Sequence, residues 1–143
     1  MHLLFNMITL LFFGPALEGI LGPVRFVILY VVCLLLSGLP SVYRHRDNPN
    51  YATLGASGAV SGVLFSYIVY MPMSKIYTFF IPIGIPAAIF GGAYLAYTFW
   101  ESRRERGIIN HDAHLAGALA GILLTIAMDP SSILVFLTAV NLM

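Results

Sequence analysis

Runs of apolar residues, each cut off by a short cluster of charge, proline or glycine, constrain this chain more than any other feature. A helix crossing a bilayer needs about 20 mostly apolar residues, so runs of this length favour membrane-spanning helices over a soluble fold. The first run extends from about His2 to Leu17 and ends at GPALEGILGP. The second covers about Val24 to Tyr43 and stops at RHRDNPN; the third covers about Tyr51 to Met71. The fourth, about Ile76 to Trp100, carries Pro82, Gly84 and Pro86 early, which predicts an irregular or kinked opening. The fifth, about Ala113 to Met128, is broken by Asp129 and Pro130. The first and fifth are marginal in length, and ILVFLTAV near the C-terminus is too short to span alone. The expectation is an all-α polytopic membrane helix bundle, one domain over 1–143 with about five transmembrane helices and no internal repeat.

Composition agrees and excludes several classes. Hydrophobic residues make up 59% of the chain, charged residues 9%, and mean hydropathy is +0.90. Soluble domains carry nearer a quarter charged residues. A net charge of +1 leaves no face able to neutralise many phosphates, so no nucleic-acid partner is expected. Cys33 is the single cysteine, which rules out an internal disulfide and a thiolate metal cluster. No basic residue precedes LLFNMITLLFF and no small-residue cleavage site follows it, so it reads as a membrane segment rather than a signal peptide.

If the chain crosses the membrane at each run, the first, third and fifth point the same way and their N-terminal ends share one face. The polar residues that look misplaced in apolar surroundings lie at those ends: His2 and Asn6, Ser57, and His114. Ser57 is about six residues into its run, or roughly 9 Å along a helix. Small side chains let membrane helices approach closely, so Gly58 and Gly62, with Ser57 and Ser61 beside them, read as a packing face. Gly117 and Gly121 form a second face on the stripe that carries His114. Two such faces can pack backbone to backbone and bring a hydroxyl within reach of an imidazole. A membrane histidine is a functional-site hypothesis by default, and imidazole is a suitable base for a serine. Asp112 lies about 200° round the helix from His114 and reads as a helix cap rather than a third catalytic member, so the pair is a dyad. His2 and Asn6, at i and i+4, share a face; beside a nucleophile both can donate to an oxyanion, joined by the Ser57 backbone N–H.

These residues resemble the rhomboid family of intramembrane serine proteases. HLLFN matches the family's H-x-x-x-N, GASG, beginning at Gly55, its G-x-S-G, and AHLAGALAG its A-H-x-x-G-x-x-x-G; Glu18 in GPALEGILG fits a turn after the second membrane helix. The likeness spans residues 2 to about 128. It implies Ser57 as nucleophile, His114 as general base, and His2, Asn6 and the Ser57 amide as oxyanion hole. It further implies a six-helix core, transmembrane protein substrates cleaved near the membrane surface, the lipid bilayer as surroundings, and no cofactor or metal. The chain departs in two respects. The family's first membrane helix and first loop should precede the H-x-x-x-N motif, so the expectation is an N-terminally incomplete domain. Many members also carry, four residues after the nucleophile, an aromatic that packs on the catalytic imidazole; here that residue is Ser61.

A catalytically inactive relative acting as a membrane chaperone or quality-control factor is the main rival, although such proteins typically lose the nucleophile or base. His111, Asp112 and His114 resemble a metal cluster, but there is no H-E-x-x-H, and His111 is expected in a loop. A small transporter would need inverted repeats or a midplane ionisable pair. Arg44, Arg46, Arg103, Arg104 and Arg106 on the site face, against Arg25 and Lys75 on the other, would put the site in the cytoplasm by the positive-inside rule. The resemblance implies the opposite orientation, in the plasma membrane.

Overall fold

The computed structural model describes residues 2–48, 56–78, 81–103 and 110–141. Among these described residues six helices and one hairpin follow in order: α1 (His2–Leu21), α2 (Pro23–His45), α3 (Ser57–Tyr70), β1 (Lys75–Thr78), β2 (Ile81–Pro86), α4 (Ala87–Ser102), α5 (His111–Met128) and α6 (Ser132–Asn141). Helix α1 runs past Gly14 and Pro15 to Leu21, beyond the end expected at Leu17. In lipid the helix is retained across a proline because no water competes for the freed carbonyl, and neighbouring groups compensate. It stops at Gly22, whose φ of 78° disfavours any side chain. The Gly22 N–H still donates to the Glu18 carbonyl (2.8 Å), and Pro23 opens α2 with its φ already helical. One residue thus reverses the chain.

The fourth run is not a single kinked helix. Its first part forms an antiparallel hairpin with α4 following, and the pairs are Lys75 with Pro86, Ile76 with Ile85 and Thr78 with Ile81. The sequence IPIGIP explains why: each proline lacks an N–H and pushes its predecessor towards extended backbone, so a two-stranded edge is tolerated where a helix is not. The hairpin is closed onto α4 by Ala87 N–H to the Ser74 carbonyl (2.9 Å) and Ala88 N–H to the Pro72 carbonyl (2.8 Å).

Helix α3 is the central post, with 12 of its 14 residues buried. Leu17, Leu21, Leu29, Cys33, Ala59, Val63 and Ala120 pack where α1, α2 and α5 meet it. Leu64, Phe65, Ile68, Ile76, Ala87 and Ala118 pack on its other side, towards α4 and the hairpin. Outward, α1 and α2 expose Leu3, Leu11, Phe12, Val24, Leu35 and Val42, which suits lipid rather than water. Helices α1, α2 and α5 are long and apolar enough to cross a membrane; α3 and α6 are shorter apolar helices.

The two glycine faces meet as expected. A Cβ on Gly117 would collide with the Gly58 backbone, and one on Gly121 with the Gly62 backbone. Both partners advance by four residues, so α3 and α5 run parallel with their N-termini at the same end. Arg44 at the end of α2 reaches both the Ser102 carbonyl of α4 (3.5 Å) and Asp112 of α5 (2.5 Å), which marks that end. Tyr70 donates to Asp129 (3.1 Å) at the opposite end. The starts of α1, α3 and α5 therefore lie together, as the alternation of segments required.

Candidate active site

The start of α5 is fastened before its histidines are reached. Asn110 caps the helix, accepting from the Ala113 N–H (3.0 Å), and its amide donates to the Ser41 hydroxyl of α2 (2.6 Å). Asp112 does not cap, contrary to expectation. It sits in the first turn paired with Arg44, where a carboxylate also complements the helix N-terminus. His111 is likewise not a loop residue: it opens α5, edge-on to Tyr97 (5.5 Å, 85°) and to His114 (6.2 Å, 70°), with its Nδ1 buried and unpartnered.

Ser57 is the first residue of α3 rather than about six residues into it, and only 5% of it is exposed. Its N–H belongs to a first helical turn, whose amides have no acceptor within the helix. Gly58, next in sequence, lies so close to α5 that a Cβ there would stand 2.8 Å from the Ala113 carbonyl. Ala113 directly precedes His114, so backbone contact joins the neighbours of the two sequence-selected residues. Gly55, picked out with them, lies outside the described residues.

His114 is held on one edge and free on the other. Its Nδ1 is 3.0 Å from the Tyr94 hydroxyl, while its Nε2 is buried with no hydrogen-bond partner. Ser57 and His114 therefore share no hydrogen bond through Nε2, a common state before substrate binds. The His2 ring lies 6.4 Å from that of His114 and 15° from parallel, and the Asn6 amide is 3.5 Å from His2 Nδ1. The i, i+4 pair thus exists, and its histidine lies over the His114 imidazole.

Sequence reasoning missed Tyr94. Its ring lies 6.5 Å from His114 and 15° from parallel, and its hydroxyl is 3.3 Å from Ser61 Oγ. Helix α4 thus supplies the aromatic neighbour that position 61 lacks. A tyrosine inside an apolar run needs a partner for its hydroxyl, and that was the available signal.

A family model described as the Rhomboid domain matches residues 1–130. The chain belongs to the rhomboid family. It is 34% identical over 134 residues to Rhomboid protein 1, mitochondrial, of Saccharomyces cerevisiae, covering 85% of this chain and 36% of that protein. It is 34% identical over 67 residues to Putative rhomboid protease YdcA of Bacillus subtilis, covering 47% of this chain and 33% of that protein. Presenilin-associated rhomboid-like protein, mitochondrial, of Rattus norvegicus is 30% identical over 132 residues, 85% of this chain and 33% of its own length. The chain thus spans about a third of the length of the curated relatives it matches. No solved structure matches. Membrane-length helices and this membership make it an integral membrane protein. Two of these relatives are named mitochondrial, so the expected plasma-membrane location draws no support from them.

Proposed function

We propose that this rhomboid chain is an intramembrane serine endopeptidase that cleaves transmembrane segments of other membrane proteins. The Ser57 hydroxyl attacks the scissile carbonyl carbon as its proton passes to His114 Nε2, and the carbonyl electron pair moves onto oxygen. Collapse expels the amine, which takes the proton back from the imidazolium. Water, deprotonated by the same nitrogen, then hydrolyses the acyl-serine and frees Ser57. His2, Asn6 and the Ser57 N–H donate to the oxyanion, and a side-chain donor in such a place is typically worth about 3 kcal/mol.

What supports the reading is the unpartnered, buried Nε2 of His114, with the His2 ring 6.4 Å away and with Gly58 and Ala113, the neighbours of Ser57 and His114, in close backbone approach. Leaving a buried polar atom without a partner costs free energy, and a proton arriving at Nε2 would relieve that cost. The relative named a putative rhomboid protease also supports it. An inactive membrane chaperone is the second reading, favoured by the unclosed Ser57–His114 contact.

A fluorophosphonate probe separates the two. The purified full chain in lipid should become covalently labelled and cleave a transmembrane reporter, and Ser57→Ala should lose both without losing membrane insertion. Turnover retained in Ser57→Ala, or a parent chain that neither labels nor cleaves, defeats the protease reading.

A further inference from the structure

We infer that Tyr94 is a positioning residue that holds His114 in the tautomer with the proton on Nδ1 and the lone pair on Nε2. This rests on the proposed dyad for its consequence in catalysis, but not for its geometry. A neutral imidazole has one donor and one acceptor nitrogen, and the bond made by one decides what the other presents. Tyr94 Oη stands 3.0 Å from Nδ1 and 3.3 Å from Ser61 Oγ. A phenol can accept from one side and donate to the other, so the three groups form a relay: Nδ1–H to Tyr94, Tyr94 O–H to Ser61. The reverse direction would leave Nε2 carrying a buried hydrogen with nothing to receive it, the rarer kind of orphan.

The relay needs a rigid centre, and Tyr94 has one. Its ring is tilted against Phe65 of α3 (5.7 Å, 48°) and lies near Phe90 one turn earlier on α4 (6.1 Å, 28°). A ring wedged between an aromatic from each helix keeps its hydroxyl in one place. Ser61, the other end of the relay, is one helical turn beyond Ser57 on the same buried helix. The position where related proteases put an aromatic is therefore occupied by the hydroxyl that a tyrosine on another helix requires. Aspartate fills the orienting role in serine-histidine-aspartate triads. Here a neutral phenol does so, which avoids burying a carboxylate in the bundle.

The decisive measurement is the pair of imidazole nitrogen-15 shifts of His114 in the full chain in lipid, assigned by their loss in His114→Ala. The parent should show a protonated Nδ1 and a bare Nε2, and Tyr94→Phe should shift the ring towards the opposite tautomer. A parent already carrying the proton on Nε2, or a Tyr94→Phe ring unchanged from the parent, overturns the inference. On the active chain Tyr94→Phe should lower kcat roughly 10- to 100-fold with KM little changed, since general-base catalysis is impaired while the ring stays. A fall in kcat/KM arising wholly from KM would instead make Tyr94 a substrate contact and defeat the proposal. The shift measurement needs no turnover, so an inert parent chain counts against the protease reading alone.

Discussion

A serine hydroxyl gains useful nucleophilicity only when its proton has somewhere to go, so Ser57 and His114 should behave as one unit. His114→Ala should be nearly as damaging as Ser57→Ala in reporter cleavage, and the double variant little worse than either. Additive losses in that cycle would mean the two residues act separately. Asn6→Ala tests a different contribution. Its amide lies within 3.5 Å of His2 rather than in contact with Ser57, so its loss should leave fluorophosphonate labelling possible while lowering kcat roughly 10- to 1,000-fold. Parental kcat in both Asn6→Ala and His2→Ala would make the pair structural and leave the backbone amide as the sole donor. At this scale the sequence was most informative for residues that are chemically out of place in lipid. Ser57, His114, His2 and Asn6 all stood out for that reason. Tyr94 did not, because a tyrosine in an apolar run is ambiguous until its hydroxyl partner is known, and that partner lies 33 residues away on another helix.

Helix α5 meets α3 through glycine, and that contact leaves no room for a methyl group, whereas the open side of α4 does. Gly117→Ala should destabilise the chain by about 1–3 kcal/mol, because its Cβ meets the Gly58 backbone and only separation of the helices relieves the clash. That separation also moves His114 relative to Ser57, and a displacement of about 1 Å can cost roughly 100-fold in rate. Gly92→Ala, in the middle of α4 with nothing within 4 Å of the new atom, should be neutral or gain up to about 1 kcal/mol. Equal stability of the two variants in a denaturant titration in detergent would show that the α3–α5 contact is looser than described. Both glycine pairs were legible as spacing. The hairpin was only half legible: Pro82, Gly84 and Pro86 announced a broken helix, but pairing with Lys75–Thr78 depends on a strand partner that local pattern does not specify. The α5 cap was misread because Asn110 and Asp112 are equally good caps by chemistry. Ser41 and Arg44, both distant in sequence, settle which one is used.

Across the whole molecule, the helices differ in length against the bilayer they cross. Helix α3 has 14 residues, about 21 Å of rise, against a hydrocarbon core of about 30 Å. Its neighbour α2, with 23 residues, is long enough to span, and so is α1. Arg44 near the end of α2 and Arg103 just after α4 lie at the end of the bundle where α5 begins, and suit the headgroup region. The single tryptophan gives a direct check, because Trp100 lies on the lipid-facing side of α4, two residues before the Ser102 carbonyl that Arg44 reaches. Tryptophan favours the membrane–water boundary, where its ring is in apolar surroundings and its N–H meets water or headgroups. With the full chain in vesicles, lipids brominated near the headgroup should quench Trp100 more than lipids brominated near the chain end. Stronger quenching by the deep bromines would sink the site end into the hydrocarbon, and Ser57 would then have no short path to the water that hydrolysis needs.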